Sequence, residues 1–234
     1  MPLKFIPSLY ERPICVRLKD GISVPLYEFM SIYIYVEIFG GKCYDITLSG
    51  TRSPKILDIG ANTGMFALRM KQFYFDSQSV YFEPFTMNFK RLTETVAMNS
   101  LDGVNAVRSG VAATSRKDRL YIHPRNVGGH SLIQSVAGQR GKNASFVDIE
   151  LVDLGAALDA IVGGHCDLVK MDREGAEYDI IKSITPVLAE RTGYIRRCST
   201  RNAFKRSDIN GESNKASQWF DGSIVNYFLH FLAI

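Results

Sequence analysis

Three acids in this chain, Asp58, Glu83 and Asp172, each stand at the end of a short apolar run. The first lies in Lys55-Ile-Leu-Asp58-Ile-Gly60-Ala-Asn-Thr-Gly64-Met-Phe66, where the apolar run gives way to a glycine-rich turn and then a helix-like pattern. Glycine permits a tight turn and a close approach of backbone to ligand. The first amides of the helix that follows have no intrahelical partner and point outward. The turn reads Gly60-Ala61-Asn62-Thr63-Gly64, not the longer G-x-G-x-x-G that seats a pyrophosphate. With Asp58 ahead of it, it suits a ligand bearing an amino acid and no phosphate. Glycine kept for turn geometry alone is the competing explanation.

The second acid lies in Ser79-Val-Tyr-Phe-Glu83-Pro84. It falls about twenty residues downstream, where an acid reaches the hydroxyls of a ribose. Two carboxylate oxygens can accept from both hydroxyls, and Pro84 forces a sharp exit that holds the carboxylate at the sheet edge. A solvated strand-end glutamate is the alternative. S-adenosylmethionine is a ligand that fits both features. The third acid opens Asp172-Arg-Glu174-Gly-Ala-Glu177, directly after the run Asp167–Met171.

Positioning these acids requires strands that alternate with helices. The patterns predict strands over 55–59, 80–83, 104–108, 119–123, 146–151, 167–171 and 193–196, and helices over 65–75, 86–99 and 152–161, with another carrying Ile180, Ile181, Ile184, Val187 and Leu188. The expected fold is α/β: a mostly parallel sheet with helices on both faces, its ligands beyond the carboxyl ends of the strands. Residues 1–50 read as an N-terminal β/α appendage, with a hairpin around Lys19-Asp20-Gly21 and an apolar segment from Tyr27 to Phe39. Residues 51–234 read as the main domain, and Ser223–Ala233 as a terminal strand.

Taken together, Ile56-Leu-Asp-Ile-Gly-Ala-Asn-Thr-Gly64, Phe82-Glu-Pro84 followed by Asn88 and Asn99, and Asp167-Leu-Val-Lys-Met-Asp-Arg-Glu-Gly-Ala-Glu177 resemble the FkbM family of methyltransferases. The resemblance covers roughly residues 32 to 190. It implies the Rossmann-like class I fold, S-adenosyl-L-methionine as cofactor, and O-methylation of a sugar, glycolipid or natural-product hydroxyl. By position it also implies that Asp58, Gly60, Ala61, Asn62, Thr63 and Gly64 hold the methionine end, that Glu83 and Pro84 border the ribose, that Ser109 lies near the adenine, and that Asp172 borders the methyl-transfer centre. After Glu190 the residues depart from the family pattern, with Tyr194-Ile-Arg-Arg-Cys-Ser-Thr-Arg201 and a polar run to Asn214.

A hydroxyl acceptor needs a base, and Asp172, Glu174 and Glu177 are candidates, Asp172 foremost because its strand would lie beside the strand of the cofactor loop. Glu177, in a first helical turn, could equally serve the helix dipole. His130, in Gly128-Gly-His-Ser131, is a further candidate base or acceptor clamp, against the plain alternative of a solvated loop histidine. The basic run Arg196, Arg197, Arg201, Lys205 and Arg206 is a solvated face or a grip for an acidic acceptor.

Bulk properties narrow the classes. A net charge of +4 is too small to argue nucleic-acid binding. The four cysteines and four histidines show no metal or disulfide spacing. The apolar stretch Phe29–Val36 stops at Glu37, too short to span a bilayer, and Met1-Pro-Leu-Lys leads into no signal segment. A cytoplasmic enzyme with a small-molecule or glycan acceptor is expected, and a homodimer is compatible with the chain. An RNA or protein methyltransferase is the enzymatic alternative, although no Asn/Asp-Pro-Pro-Tyr/Phe motif for a planar amine is present. A catalytically silent cofactor-binding scaffold is the alternative outside enzymes. A nicotinamide oxidoreductase is disfavoured by the spacing of the glycine turn.

Overall fold

In the computed structural model, residues 13–123, 129–138, 144–172, 177–197 and 203–205 are described. Glu174 and the apolar segment 223–233 lie outside these residues.

A hairpin of β1 (Ile14–Arg17) and β2 (Ser23–Leu26) turns at Gly21, whose φ of +90° is open to glycine and costly to other residues. Helix α1 (Phe29–Tyr35) follows and runs into a π-helical turn over Val36–Gly40. The core then alternates: β3 (Lys55–Ile59), α2 (Met65–Phe73), β4 (Gln78–Phe82), α3 (Thr86–Met98) and β5 (Val104–Val107). Three strands come next, β6 (Gly110–Ala112), β7 (Arg116–Tyr121) and β8 (Phe146–Asp153), and then α4 (Leu154–Asp159) and β9 (Cys166–Met171). The last described elements are α5 (Glu177–Lys182), α6 (Pro186–Glu190), β10 (Thr192–Arg197) and β11 (Ala203–Lys205).

The central sheet has the order β11-β10-β9-β3-β4-β5, parallel except for the β10–β11 pair. From β3 the chain winds outward through β4 to β5, then returns to the other side of β3 with β9 and winds outward through β10. The reversal between β3 and β9 leaves a crevice at their carboxyl ends, the place where open α/β sheets bind ligands. The backbone N–H of Asp172 donates to the Ile59 carbonyl there, at 3.0 Å.

Strands covered on both faces read as near-continuous apolar runs, and the alternation of β3 sorts its residues into two cores. Ile56 joins Tyr81, Leu168, Leu68, Met70 and Leu92 on one face, where Val24, Ile38, Tyr44 and Leu48 of the N-terminal segment also pack. Leu57 and Ile59 join Val169, Met171, Leu154, Leu158 and Ile180 on the other. Each such side chain taken from water contributes about 1.5–3 kcal/mol.

Four elements differ from the patterns, among them β11, which lies in the stretch read as a polar run. The helix read through Ile180 to Leu188 is two helices, because Pro186 has no N–H to continue the first; Thr185 caps the second by accepting from the Leu188 N–H at 3.3 Å. Strand β7 begins three residues before its apolar stretch, at Arg116, since pairing with β8 and not hydrophobicity sets its length. Strand β6, which joins the parallel edge of β8, carries too few residues for any period to mark it.

Candidate active site

The crevice between β3 and β9 is bordered by the Gly60–Gly64 turn on one side and Asp172 on the other. The turn is built on left-handed backbone: φ is +82° at Gly60, +51° at Asn62 and +87° at Gly64. Asparagine is among the few non-glycine residues that tolerate this region. Gly60 and Ala61 both donate their N–H groups to the Phe82 carbonyl at 3.0 Å, which ties the turn to the end of β4. Gly60 and Asn62 are partly accessible, while Ala61, Thr63 and Gly64 are buried. Two of the five residues of the turn are therefore accessible.

Gly64 serves packing. A Cβ there would stand 2.8 Å from Leu92 Cδ1 of α3. The side of Gly64 that a Cβ would occupy faces the core.

Glu83 follows β4 and is buried. Its Oε2 accepts from the Asn62 N–H and its Oε1 from the Phe85 N–H, both at 2.9 Å. The carboxylate thus fastens the glycine turn to the exit of β4.

Asp58 is 0% exposed. A side chain with no accessible surface meets a ligand only after rearrangement. Asp58 instead pairs with Lys170 of β9, Nζ to Oδ1 at 2.8 Å, and the same ammonium donates to the Gly60 carbonyl at 2.7 Å. Burial pushes the Asp58 carboxyl up to about 6 in spite of Lys170. Burial also works against the charge of Lys170, but the facing carboxylates of Asp58 and Asp172 outweigh it and hold the ammonium above its ordinary value. The pair supports the turn from beneath.

Asp172, one residue past β9, is exposed. Its Oδ2 accepts from the Tyr44 hydroxyl at 3.0 Å. Residue patterns gave no sign of Tyr44, which lies 128 positions away in the N-terminal segment. Glu177 opens α5 and is buried.

Ser109 is buried, and its hydroxyl donates to the Glu150 carbonyl at 2.9 Å, joining β5 to the smaller sheet. Pro84 lines a cavity of about 270 Å³ with Thr86, Arg108, Lys117, Asp148 and Glu150. His130 packs edge-on against Phe85, ring centroids 4.3 Å apart, and its Nδ1 accepts from the His123 N–H at 3.0 Å. The neutral ring then carries its proton on Nε2. Burial and the neighbouring His123 lower its pKa to about 4. With Nδ1 engaged and Nε2 protonated, His130 would take up a further proton only by giving up its bond from the His123 N–H.

This sheet order, with an acid-anchored glycine turn at the strand reversal, is the class I methyltransferase fold. The chain belongs to the methyltransferase FkbM domain family, whose model matches residues 58–227. The match continues beyond Glu190, where the residue pattern alone reads as a departure. The chain is 31% identical over 177 residues to Methyltransferase sdnD of Sordaria araneosa, covering 65% of this chain and 68% of that one. It is 27% identical over 186 residues to Methyltransferase 1 of Beauveria bassiana (strain ARSEF 2860), covering 72% and 74%. Among solved structures, the methyltransferase FkbM of Methylobacillus flagellatus KT matches with a TM-score of 0.41 and 16% identity over 62% of this chain; the chain spans 32% of that protein. Among the described residues no helix is long and apolar enough to cross a membrane.

Proposed function

We propose that the chain binds S-adenosyl-L-methionine and transfers its methyl group to a hydroxyl oxygen of a sugar, glycolipid or natural product. The observation that carries this reading is the position of Asp172: an exposed carboxylate at the end of β9, beside the accessible residues of the glycine turn across the strand reversal. Gly60 and Asn62 would face the amino-acid end of the cofactor. The Glu83 carboxylate would face the ribose hydroxyls. When bound, the cofactor supplies a methyl group on a positively charged sulfur.

The rest falls to the chain. An alcohol hydroxyl is a poor nucleophile until its proton is drawn away, and a carboxylate within reach does this as the new O–C bond forms and the C–S bond breaks. Asp172 accepts that proton through the oxygen that Tyr44 leaves free. The Asp58–Lys170 pair keeps the turn in place while the two reactants are aligned, since alignment is the protein's main contribution to an in-line displacement.

The test has two parts. Calorimetric titration with S-adenosylhomocysteine reports cofactor binding, and no heat at millimolar concentration refutes the reading. Incubation with labelled cofactor and a panel of sugars, glycolipids and phenols reports the acceptor class; label entering only RNA or protein would replace the hydroxyl reading with the macromolecular one.

A further inference from the structure

We propose that Tyr44 is a positioning residue of this site: its hydroxyl holds one oxygen of the Asp172 carboxylate and thereby directs the other toward the acceptor. The proposal rests on the reading of Asp172 as the acceptor's partner.

The argument begins with how firmly Tyr44 is held. On one side, the Cys43 carbonyl accepts from Arg196 of β10, at 3.0 Å from Nε and 2.5 Å from Nη2. On the other, the Asp45 carboxylate takes two bonds from Arg69 of α2, at 2.7 Å from Nε and 2.5 Å from Nη2. Both arginines present paired donors, the arrangement that adds direction as well as energy. Tyr44 lies between these anchors, 2% exposed, with its ring edge-on to Phe66 at 5.1 Å and the Lys170 ammonium 5.7 Å from its centroid. Three consecutive residues are thus fastened to β10, to the site and to α2.

Packing alone asks only for an aromatic ring, which phenylalanine would supply. What the hydroxyl adds at the site is the 3.0 Å bond to Asp172 Oδ2. Asp172 stands exposed beyond the end of its strand, and the attraction of Lys170 carries no direction, so a short side chain there exchanges rotamers unless a directed bond selects one. A donor on a buried, doubly anchored ring selects one rotamer before any acceptor arrives. Pre-set geometry of this kind lowers the ordering cost of reaching the reactive arrangement. The N-terminal segment, which lies ahead of the family match at residue 58, thereby supplies part of the site.

The experiment compares the full chain with Tyr44→Phe, which keeps the ring. In the cofactor-free protein, three-bond couplings across the Asp172 Cα–Cβ bond should report one rotamer in the parent and averaging in Tyr44→Phe. In Asp172→Ala the Tyr44 Cζ resonance should shift as its acceptor is lost. Affinity for S-adenosylhomocysteine should stay within about twofold in Tyr44→Phe, because the cofactor side is untouched. In turnover on a panel of methyl glycosides and phenols, kcat should fall about tenfold with KM unchanged, and Tyr44→Phe should add nothing to Asp172→Asn. Averaged couplings in the parent, or identical couplings in both proteins, overturn the proposal. So does a parental kcat in Tyr44→Phe where Asp172→Asn is crippled. A fully active Asp172→Asn with the rotamer effect intact overturns instead the role of Asp172, and the two failures are distinct.

Discussion

Lys170 Nζ lies 2.8 Å from Asp58 Oδ1 and 2.7 Å from the Gly60 carbonyl, so one buried ammonium joins the middle of β3 to the turn at its end. The pair is cross-strand: Asp58 and Lys170 are register partners. Removing one member strands a charge in the core, at a cost of about 3–5 kcal/mol. Lys170→Met and Asp58→Leu should each lower the urea midpoint by that equivalent, while the double variant Asp58→Leu/Lys170→Met should lose markedly less than the sum. Equal, additive losses in equilibrium unfolding would contradict the pairing.

Glu83→Gln tests the acid that holds the turn. A Gln side chain turns one acceptor oxygen into an amide that meets a backbone N–H, so the change affects both the fold and the ligand. Loss of charge-assisted hydrogen bonds should weaken S-adenosylhomocysteine binding by about tenfold or more, the equivalent of roughly 1.5–3 kcal/mol. Because Glu83 also receives the Asn62 and Phe85 amides, the melting temperature of the cofactor-free protein should fall too. A lowered melting temperature with unchanged affinity of the folded protein would make Glu83 a loop anchor alone.

Gly64→Ala should destabilise the protein by about 1–3 kcal/mol, since the new methyl meets Leu92 and the backbone at φ +87° disfavours any Cβ. Thermal unfolding measures it. Unchanged stability would return Gly64 to the ligand side of the turn.

Asp172→Asn should lower turnover on a hydroxyl acceptor by about 10²–10⁴-fold at saturating cofactor, the range of a positioned base. Affinity for S-adenosylhomocysteine, titrated in parallel, should hold. If affinity falls and turnover at saturation does not, Asp172 contacts the cofactor and the proton goes elsewhere.

His130 makes stability depend on pH. Its folded pKa of about 4 lies below the ordinary 6.5, through burial first and His123 second. The unfolded chain therefore takes up the proton first: the contribution is fully present above pH 6.5 and is lost as pH falls toward 4. The fall from 6.5 to about 4 corresponds to about 3 kcal/mol at most, and to less for a half-buried ring. His130→Gln should flatten this part of the stability–pH curve in urea titrations between pH 7 and 4; an unchanged slope would assign it to other groups.

The alternation of strands and helices, the glycine turn and the acids at strand ends were legible because each is local. A period of two or 3.6, or a glycine beside an acid, lies within a dozen residues. The breadth of each acid's role was not legible. Asp58 and Glu83 look alike in sequence, an acid at the end of an apolar run, yet one faces the interior of the sheet and the other the turn. The β3 and β9 runs each carry one charge among apolar neighbours, and nothing in either run says that the two meet.

The sequence alone determined the family, the α/β alternation and the residue types available at the crevice, since these follow from local pattern and covalent order. The tertiary structure decided which of them touch. Strand register set Asp58 against Lys170, packing against α3 turned Gly64 inward, and two arginine anchors carried Tyr44 across 128 residues to Asp172. Such contacts depend on how whole elements pack, and a window along the chain holds no record of it.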